Sequence, residues 1–159
     1  HTAKIQQCLV SLSTMERLSS LLRKKGYTRI PLTKVASGHY ICTVTLNGVS
    51  GLFIVDTGAS HSCVAWNKET LFKLTATATD QQAATASSQG VDTKHSEGNH
   101  IQLGSWERQN QDIVLIDLSS VDAALEQFEV APVDGIIGGD LLHKAKAVLD
   151  YRRNGLYLI

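Results

Sequence analysis

Positions 40 to 55 carry an alternating pattern of apolar and polar residues that predicts a β-hairpin. Apolar residues occupy every second position of Tyr40–Leu46, with polar residues or Ile41 between them, and a period of two is typical of a half-buried strand. Asn47-Gly48 follows, and because both residue types tolerate positive φ, this dipeptide favours a two-residue turn. Val49–Val55 then resumes as a strand. Its apolar residues fall on both faces, which predicts a central and buried position in the sheet.

Residues 1–28 have a different pattern, which predicts an N-terminal extension with one amphipathic helix. Ser13 to Glu16 has the form of a capping box, with Ser13 as the N-cap. Apolar residues then recur at helical spacing up to Leu22. Three basic residues and Gly26 come next, and these favour the end of a helix. We therefore predict a helix over residues 14–25 that packs on the domain or on a partner.

Residues 74–100 are rich in Thr, Ala, Ser and Gln and contain almost no large apolar side chains. Their strand propensity predicts a hairpin that projects from the body of the domain and buries little surface. An ordinary solvated loop is the alternative. Residues 101–104 then resume the pattern of the sheet.

The C-terminal part mixes short strands with short helices. The apolar run Ile113–Leu118 predicts a buried strand, and Ser119 or Ser120 is placed to cap the helix that follows. Asp140 is placed to cap a second helix that begins at the next residue, and Asp134 is expected to be a turn residue.

A second Asn-Gly turn, at Asn154-Gly155, predicts that the chain ends in another hairpin. Many short strands, tight turns and few helices indicate a mainly β architecture. A chain of 159 residues is large enough for one core but short for two lobes. We therefore assign residues 29–159 to a single domain.

Composition and charge exclude several classes of function. Fifteen basic residues balance fifteen acidic ones, so the chain has no positive field that would attract nucleic acid. No apolar stretch reaches the length of a membrane span. The three cysteines (Cys8, Cys42 and Cys63) are too scattered for a disulfide framework, and we expect small buried side chains. The histidines never form a pair with metal-ligand spacing, so we predict no metal and no cofactor.

Asp56 is the polar residue most open to a chemical role. It follows the buried strand directly and precedes Thr57-Gly58, where glycine lets the backbone turn sharply and lets another group come close. A carboxylate at the end of a buried strand is costly unless it is paired, hydrogen-bonded or used in chemistry. A turn-forming aspartate is the alternative, since Asp-Thr-Gly also favours turns. On the tripeptide alone both interpretations stay open.

A second apolar and glycine-rich segment, residues 135–142 (GIIGGDLL), follows in the C-terminal part. Two large aliphatic residues before glycines suit a strand that passes close beneath another turn. A phosphate loop is a poor alternative, because the segment has neither the glycine spacing nor the lysine of such loops. Two other candidates are weaker. Neighbouring residues are expected to point apart, so Ser60 and His61 make an improbable dyad, and Cys63 has no base indicated nearby.

Both segments together, in this order, resemble a known family. Residues 54–60 (IVDTGAS) resemble the active-site loop of aspartic peptidases, and residues 135–142 resemble the second motif of the retroviral-type members. The resemblance covers residues 29–159 and is closest to bacterial single-domain retropepsin-like proteins. It implies a single-lobe, closed β-barrel fold, and it favours the bacterial periplasm or cell envelope as the compartment, which the sequence itself does not give.

The resemblance also implies roles for the matched positions. Asp56 would be the catalytic carboxylate, and Thr57 would join the two active-site loops of a dimer. Gly58 would keep the loop open beside the substrate, and Ala59 would support the loop. Three residues of the second motif would support this loop and line the pocket: Ile136, Ile137 and Gly138. The flap over the cleft would lie within residues 84–98, centred on Ala86, Ser87, Ser88, Gln89 and Gly90.

One departure from the family pattern concerns a charged pair. Many retroviral members carry an arginine where this chain has Gly139 and an aspartate where it has Ser60. That pair helps to hold the dimer, so its absence puts the dimer contacts and the adjoining subsite in doubt.

The resemblance implies an aspartic endopeptidase, and its chemistry needs two carboxylates that share one proton. This chain has one Asp-Thr-Gly, so the enzyme would be a homodimer that contributes one Asp56 from each chain and acts on a peptide or protein substrate. The alternative is a non-catalytic retropepsin-like module that dimerises or binds peptides. An unrelated β domain with an Asp-Thr-Gly turn is the third hypothesis.

Overall fold

The computed structural model describes residues 18–78, 83–85 and 88–159, and within 83–85 and 88–91 it describes the backbone alone. The strands in chain order are β1 (Thr28–Pro31), β2 (Thr33–Lys34), β3 (Tyr40–Leu46), β4 (Val49–Val55), β5 (Cys63–Ala65), β6 (Ala76–Ala78), β7 (Ala83–Thr85), β8 (Ser88–Val91), β9 (Lys94–Leu103), β10 (Trp106–Ile116), β11 (Gly135–Ile137), β12 (Val148–Asp150) and β13 (Gly155–Leu158). The helices are α1 (residues 18–24), α2 (Ser119–Glu126) and α3 (Gly139–Lys144), with a 3₁₀ turn at Trp66–Lys68.

Six of these strands close into a barrel. The largest sheet has the order β2-β3-β4-β11-β5-β10-β9-β6, and β3 also pairs with β9, so that the strands from β3 to β9 form a ring. β11 runs parallel to β4 and antiparallel to β5. The terminal strands form a separate sheet of order β1-β13-β12. The predicted mainly β, closed-barrel fold with a few small helices is confirmed.

The apolar residues on both faces of β4 have a structural reason. Phe53 and Val55 point into the barrel core, whereas Ile54 packs in a second cluster with Leu125 of α2. β11 is divided in the same way. Because β4 lies between β3 and β11, and its last three residues (53–55) are buried on both faces, the predicted central position is confirmed, although Leu52 is exposed.

The first Asn-Gly hairpin forms as predicted, and the second differs in one residue. Asn47 and Gly48 have φ of 49° and 82°, as a two-residue turn between β3 and β4 requires. At the second hairpin only Asn154 has a positive φ, of 46°. Gly155 is already the first residue of β13 and pairs with Asp150, so the turn there is longer than the dipeptide suggests.

The polar stretch at 74–100 contributes more to the sheet than its composition predicts. β7 and β8 pair with each other as a two-stranded sheet of their own, and the projection of this hairpin from the body of the domain stays a prediction. However, β6 and the polar first half of β9 belong to the large sheet. Within β9, Ser96 and Asn99 are buried, and Asn99 Nδ2 donates to Ser96 O (2.8 Å) and Gln111 O (3.1 Å). Hydrogen bonding therefore allows polar side chains in the interior.

The helices begin differently from the prediction in two places. Neither Ser119 nor Ser120 caps α2: its N-cap is Leu118, which makes no side-chain cap bond. Instead, Ser119 N donates to Asp117 Oδ1 (2.9 Å), and this bond lowers the pKa of Asp117. Asp140 does not cap α3 either, since the helix begins at Gly139 and Gly138 is the N-cap.

The described part of the N-terminal helix packs on the C-terminal hairpin. Residues 18–24 are helical and Leu22 is buried, whereas the capping box from Ser13 to Glu16 lies outside the described residues. Arg153 Nη1 donates to Ser19 Oγ (3.2 Å), and Tyr27 Oη donates to Lys146 O (3.2 Å). The helix therefore contacts the domain itself, and the division of the chain at residue 28 stays a prediction. Among the residues described, no helix is long and apolar enough to cross a membrane.

Candidate active site

Asp56 lies where β4 leaves the barrel. Its backbone N–H donates to Ile137 O (3.0 Å), which continues the parallel pairing of β4 with β11 for one more residue. The chain then turns, and Gly58 N donates to Asp56 Oδ1 (2.8 Å). Asp56, Thr57 and Gly58 are exposed in the single chain. The carboxylate is therefore oriented by a backbone donor, and solvent rather than burial surrounds it in one copy.

The loop after Asp56 rests on the second motif. Gly139 N donates to Ala59 O (2.7 Å) and Asp140 N donates to Ser60 O (3.2 Å). A methyl group on Gly138 would meet the backbone carbonyl of His61 at 2.5 Å, so glycine is needed there to let the two segments approach. The glycine-containing second motif thus passes directly beneath the turn, as expected for packing.

Asp140 binds the loop through its side chain as well. Its Oδ1 accepts hydrogen bonds from Ser62 N (2.7 Å) and Ser62 Oγ (2.8 Å), and its Oδ2 accepts one from Gln111 Nε2 (3.1 Å). Ser62 Oγ in turn accepts a bond from Gly138 N (3.0 Å). The sequence pattern gave no signal for this network, because its members lie on three segments of the chain. Asp134 has a comparable place at the other end of β11, where its Oδ2 accepts from Leu52 N (2.9 Å) and its Oδ1 pairs with Lys68 (3.0 Å).

Ser60 and His61 do not point apart as expected. Ser60 Oγ and His61 Nδ1 lie 2.9 Å apart and form a hydrogen bond. The expectation used the alternation of a strand, whereas these residues form a bend before β5. Both side chains are exposed, and the contact is local to the bend.

A pocket adjoins the loop after Asp56, on the side of Thr57. It has a volume of about 340 Å³ and is lined by Val55, Thr57, Leu142, His143, Lys146, Ala147, Leu149 and Leu156. Most of these side chains are apolar, and they belong to β4, the loop after Asp56, α3, the turn that follows α3, and the terminal sheet. The face of the chain that carries Thr57 is therefore concave and mainly apolar.

The remaining predicted site residues occupy two regions. Ile136 and Ile137 are buried in β11, on opposite faces of the strand. Ser88, Gln89 and Gly90 belong to β8, which pairs with β7 and places Ser88 opposite Thr85. Ala86 and Ser87 lie outside the described residues.

Cys63 lies close to the carboxylates but is protected from reaction. The pKa of its thiol is raised to about 12, mainly by burial and to a smaller extent by the charges of Asp140 and Asp56, against a backbone hydrogen bond to Ile136 that lowers it. A thiol of this kind remains protonated at neutral pH and is a poor nucleophile. The expected role as a small buried side chain is confirmed for Cys63 and Cys42; Cys8 lies outside the described residues. The described residues contain no cluster of three or more His, Cys, Asp or Glu that could hold a metal ion.

Comparison with known proteins identifies the family. Residues 42–141, which contain both motifs, match the family model described as aspartyl protease. The chain belongs to the aspartyl protease family. A search of curated proteins finds no match.

Solved structures agree on the fold. The retropepsin-like aspartic protease from Rickettsia conorii is 19% identical, with a TM-score of 0.51, and the match covers 83% of this chain and 91% of that one. The EIAV protease in complex with the inhibitor HBY-793 is 18% identical (TM-score 0.51; 69% and 90% covered). The retroviral protease-like domain of Ddi1 from Leishmania major is 15% identical (TM-score 0.52; 74% and 86% covered). The barrel described above is therefore the retropepsin-like fold.

Proposed function

We propose that this chain is an aspartic endopeptidase that hydrolyses peptide bonds with a water molecule held between two Asp56 carboxylates, one from each chain of a homodimer. The observation that carries the proposal is the setting of Asp56. In a chain of the aspartyl protease family, this carboxylate is exposed at the end of β4 and oriented by Gly58 N.

The second carboxylate has to come from another copy. Asp140, in the second motif, already has both carboxylate oxygens bound, one to Ser62 and the other to Gln111. The chemistry requires two carboxyl groups close enough to share a proton, because like charges at short distance cannot both ionise. A two-fold axis beside Asp56 would bring two identical loops together.

The surface around Thr57 suits such a contact. Thr57 is exposed and forms part of the wall of the apolar pocket between the active-site loop and the terminal sheet. β12 is the edge strand of that sheet, with β13 as its neighbour on one side. A second copy on this face would cover the pocket and bring its own Asp56 to the axis.

The residues then have separate tasks in the reaction. The ionised Asp56 of the pair takes a proton from the water, and the water attacks the carbonyl carbon of the peptide bond. The protonated Asp56 donates to the carbonyl oxygen, and a proton then passes to the leaving amine. Gly58 N–H keeps the carboxylate oriented, the β7–β8 hairpin serves as the flap that covers an extended peptide, and Ile136, Ile137 and Gly138 support the loop from below.

The decisive experiment combines cleavage of a mixed peptide library with subunit mixing. Wild-type protein should cleave, and Asp56→Asn should not, although asparagine can still accept the bond from Gly58 N and should leave the fold unchanged. If two chains share one site, equal amounts of wild type and Asp56→Asn that have exchanged subunits should retain about a quarter of the activity of the same total protein, rather than half.

Other outcomes would point elsewhere. Equal cleavage by wild type and Asp56→Asn would show that Asp56 is not catalytic. Half the activity in the mixture would show that each chain acts alone. Binding of peptides without cleavage between acidic and neutral pH would favour the non-catalytic module.

A further inference from the structure

The segment from Asp56 to Ser62 is fixed to the second motif at several points. Its beginning is held by the bond from Asp56 N to Ile137 O and its middle by the bond from Gly139 N to Ala59 O. Its end is held by Ser62, which is buried and binds both Asp140 and the N–H of Gly138. We call Asp140, Ser62 and Gln111 the loop clamp.

The contact between Asp140 and Ser62 is of the strong kind. A carboxylate that accepts a backbone N–H and a hydroxyl of one residue, at 2.7 and 2.8 Å, fixes that residue in position and direction. Gln111 is fully buried, and its Nε2 donates to Asp112 O (2.9 Å) as well as to Asp140 (3.1 Å). The carboxylate is therefore held from both sides, and Ser62 cannot move without breaking several bonds.

The clamp lies beside the positions of a contact that this chain lacks. Gly139 and Ser60 occupy the positions where many retroviral members carry a charged pair, and neither side chain can form one. The clamp is built from the residue after Gly139 and from the second residue after Ser60. Its bonds are all made within one chain.

We propose that Asp140 and Ser62 are positioning residues for catalysis: they hold the active-site loop so that Asp56 meets its counterpart at the distance the reaction needs. This inference rests on the proposed function. Displacement of a reacting group by 1 Å can lower the rate by about 100-fold. Loss of the clamp should therefore reduce kcat much more than it changes KM, because the peptide-binding surfaces remain in place.

The test compares Asp140→Ala with Asp134→Ala as a matched control. Each aspartate accepts a backbone N–H from a distant segment, at Ser62 and at Leu52, but Asp134 lies at the opposite end of β11 from the active-site loop. Both variants should lose stability. At a temperature where both are folded, Asp140→Ala should lose about 100-fold in kcat, and Asp134→Ala should stay within about threefold of wild type.

Conservative substitution provides a second measurement and a safeguard against misfolding. Asp140→Asn keeps an oxygen for Ser62 but presents an NH₂ group to Gln111 Nε2 or loses that contact. It should therefore fall between wild type and Asp140→Ala in kcat. Ser62→Ala keeps the bond from its backbone N–H to Asp140 but loses the bonds of its hydroxyl group to Asp140 and Gly138. It should therefore lose less kcat than Asp140→Ala, and the loss in the double variant should be smaller than the sum of the two single losses, since the two residues share a contact. Additive losses, or equal kcat losses in Asp134→Ala and Asp140→Ala, would refute the positioning role.

Hydrogen exchange keeps this test separate from the proposed function. The two variants are compared under conditions where their free energies of unfolding are equal. The amides of Ser62 and Gly139 should then exchange at least about tenfold faster in Asp140→Ala than in Asp134→Ala. If wild type cleaves nothing, the proposed function fails, and faster exchange would still establish the clamp. Unchanged exchange in Asp140→Ala would overturn the inference whether or not the protein is a peptidase.

Discussion

Replacement of Gly138 by alanine tests the close contact between the two motifs most directly. The backbone there is extended (φ −101°, ψ −178°), so alanine adopts it without strain, and the effect comes from packing alone. The added methyl group would lie 2.5 Å from the carbonyl carbon and oxygen of His61 and 3.0 Å from Ala59 O. Ordinary contact begins at 3.4 Å, so the backbone must separate by most of an ångström.

The neighbouring glycine serves as the control. Overpacking typically costs about 1 to 3 kcal/mol, and the separation of the two backbone segments also weakens the bond from Gly139 N to Ala59 O. We therefore expect Gly138→Ala to lower the free energy of unfolding by about 3 kcal/mol. A methyl group on Gly139 would meet Ala59 O at 3.3 Å, a contact that a small shift relieves, and alanine is the better residue in the first turn of a helix. Gly139→Ala should therefore cost less than about 1 kcal/mol.

Urea unfolding, followed by circular dichroism at one protein concentration, measures the free energy of unfolding of each variant. The variants can be compared directly if their m-values equal that of the wild type. Gly138→Ala should also lose cleavage activity under conditions where it is folded. Equal stabilities of the two variants would refute the reasoning, because only the position of one methyl group distinguishes them.

Two further predictions concern residues away from the loop. Burial raises the pKa of the Cys42 thiol from 9.0 to about 12. Between these two values the folded protein keeps a proton that the unfolded chain loses. The contribution of the protonated thiol to the free energy of unfolding is therefore complete below pH 9 and is lost as the pH rises towards 12. Cys42→Ala should accordingly lose stability less steeply with pH than wild type, by about 1.4 kcal/mol per pH unit above pH 9, and parallel curves would contradict this assignment. Asn47→Gly should cost about 3 kcal/mol in urea unfolding, because glycine keeps the turn but removes side-chain hydrogen bonds with Phe72 O, Asn99 and His100 N. Asn154→Gly, with the same positive φ and an exposed side chain, should stay within about 0.5 kcal/mol of wild type, and a similar loss in both would mean that the turn rather than the side chain matters.

The parts of the fold that the sequence predicts are those with a local cause. Asn47-Gly48 favours a turn through its own conformational preferences, and the apolar residues on both faces of β4 indicate burial in the interior of the sheet. The polar half of β9 is not recognisable in this way. Ser96 and Asn99 look like loop residues, and they are compatible with the interior because distant groups, among them Gln111 O, satisfy their hydrogen bonds.

The same distinction applies to the site. Asp56 and the segment after β11 are recognisable because each has a compact motif. The role of Asp140 is not, since an aspartate in the first turn of a helix is ordinarily a cap or a favourable charge. Its partner Ser62 is 78 residues away in the sequence, and no periodicity connects them. Likewise, Ser60 and His61 meet because their segment bends, which alternation along a strand does not predict.

A clamp within one chain changes what the second copy has to supply. If the loop were ordered by the partner, dissociation of the dimer would abolish both cleavage and the order of the loop. If Asp140 and Ser62 hold it, the loop is ordered before assembly, and in the proposed homodimer the partner supplies a second carboxylate and covers the apolar face around Thr57. Dilution should then reduce cleavage per chain, while the amides of Gly139 and Ser62 keep their protection from exchange. Loss of both together, at the same protein concentration, would mean that the interface rather than the clamp orders the loop.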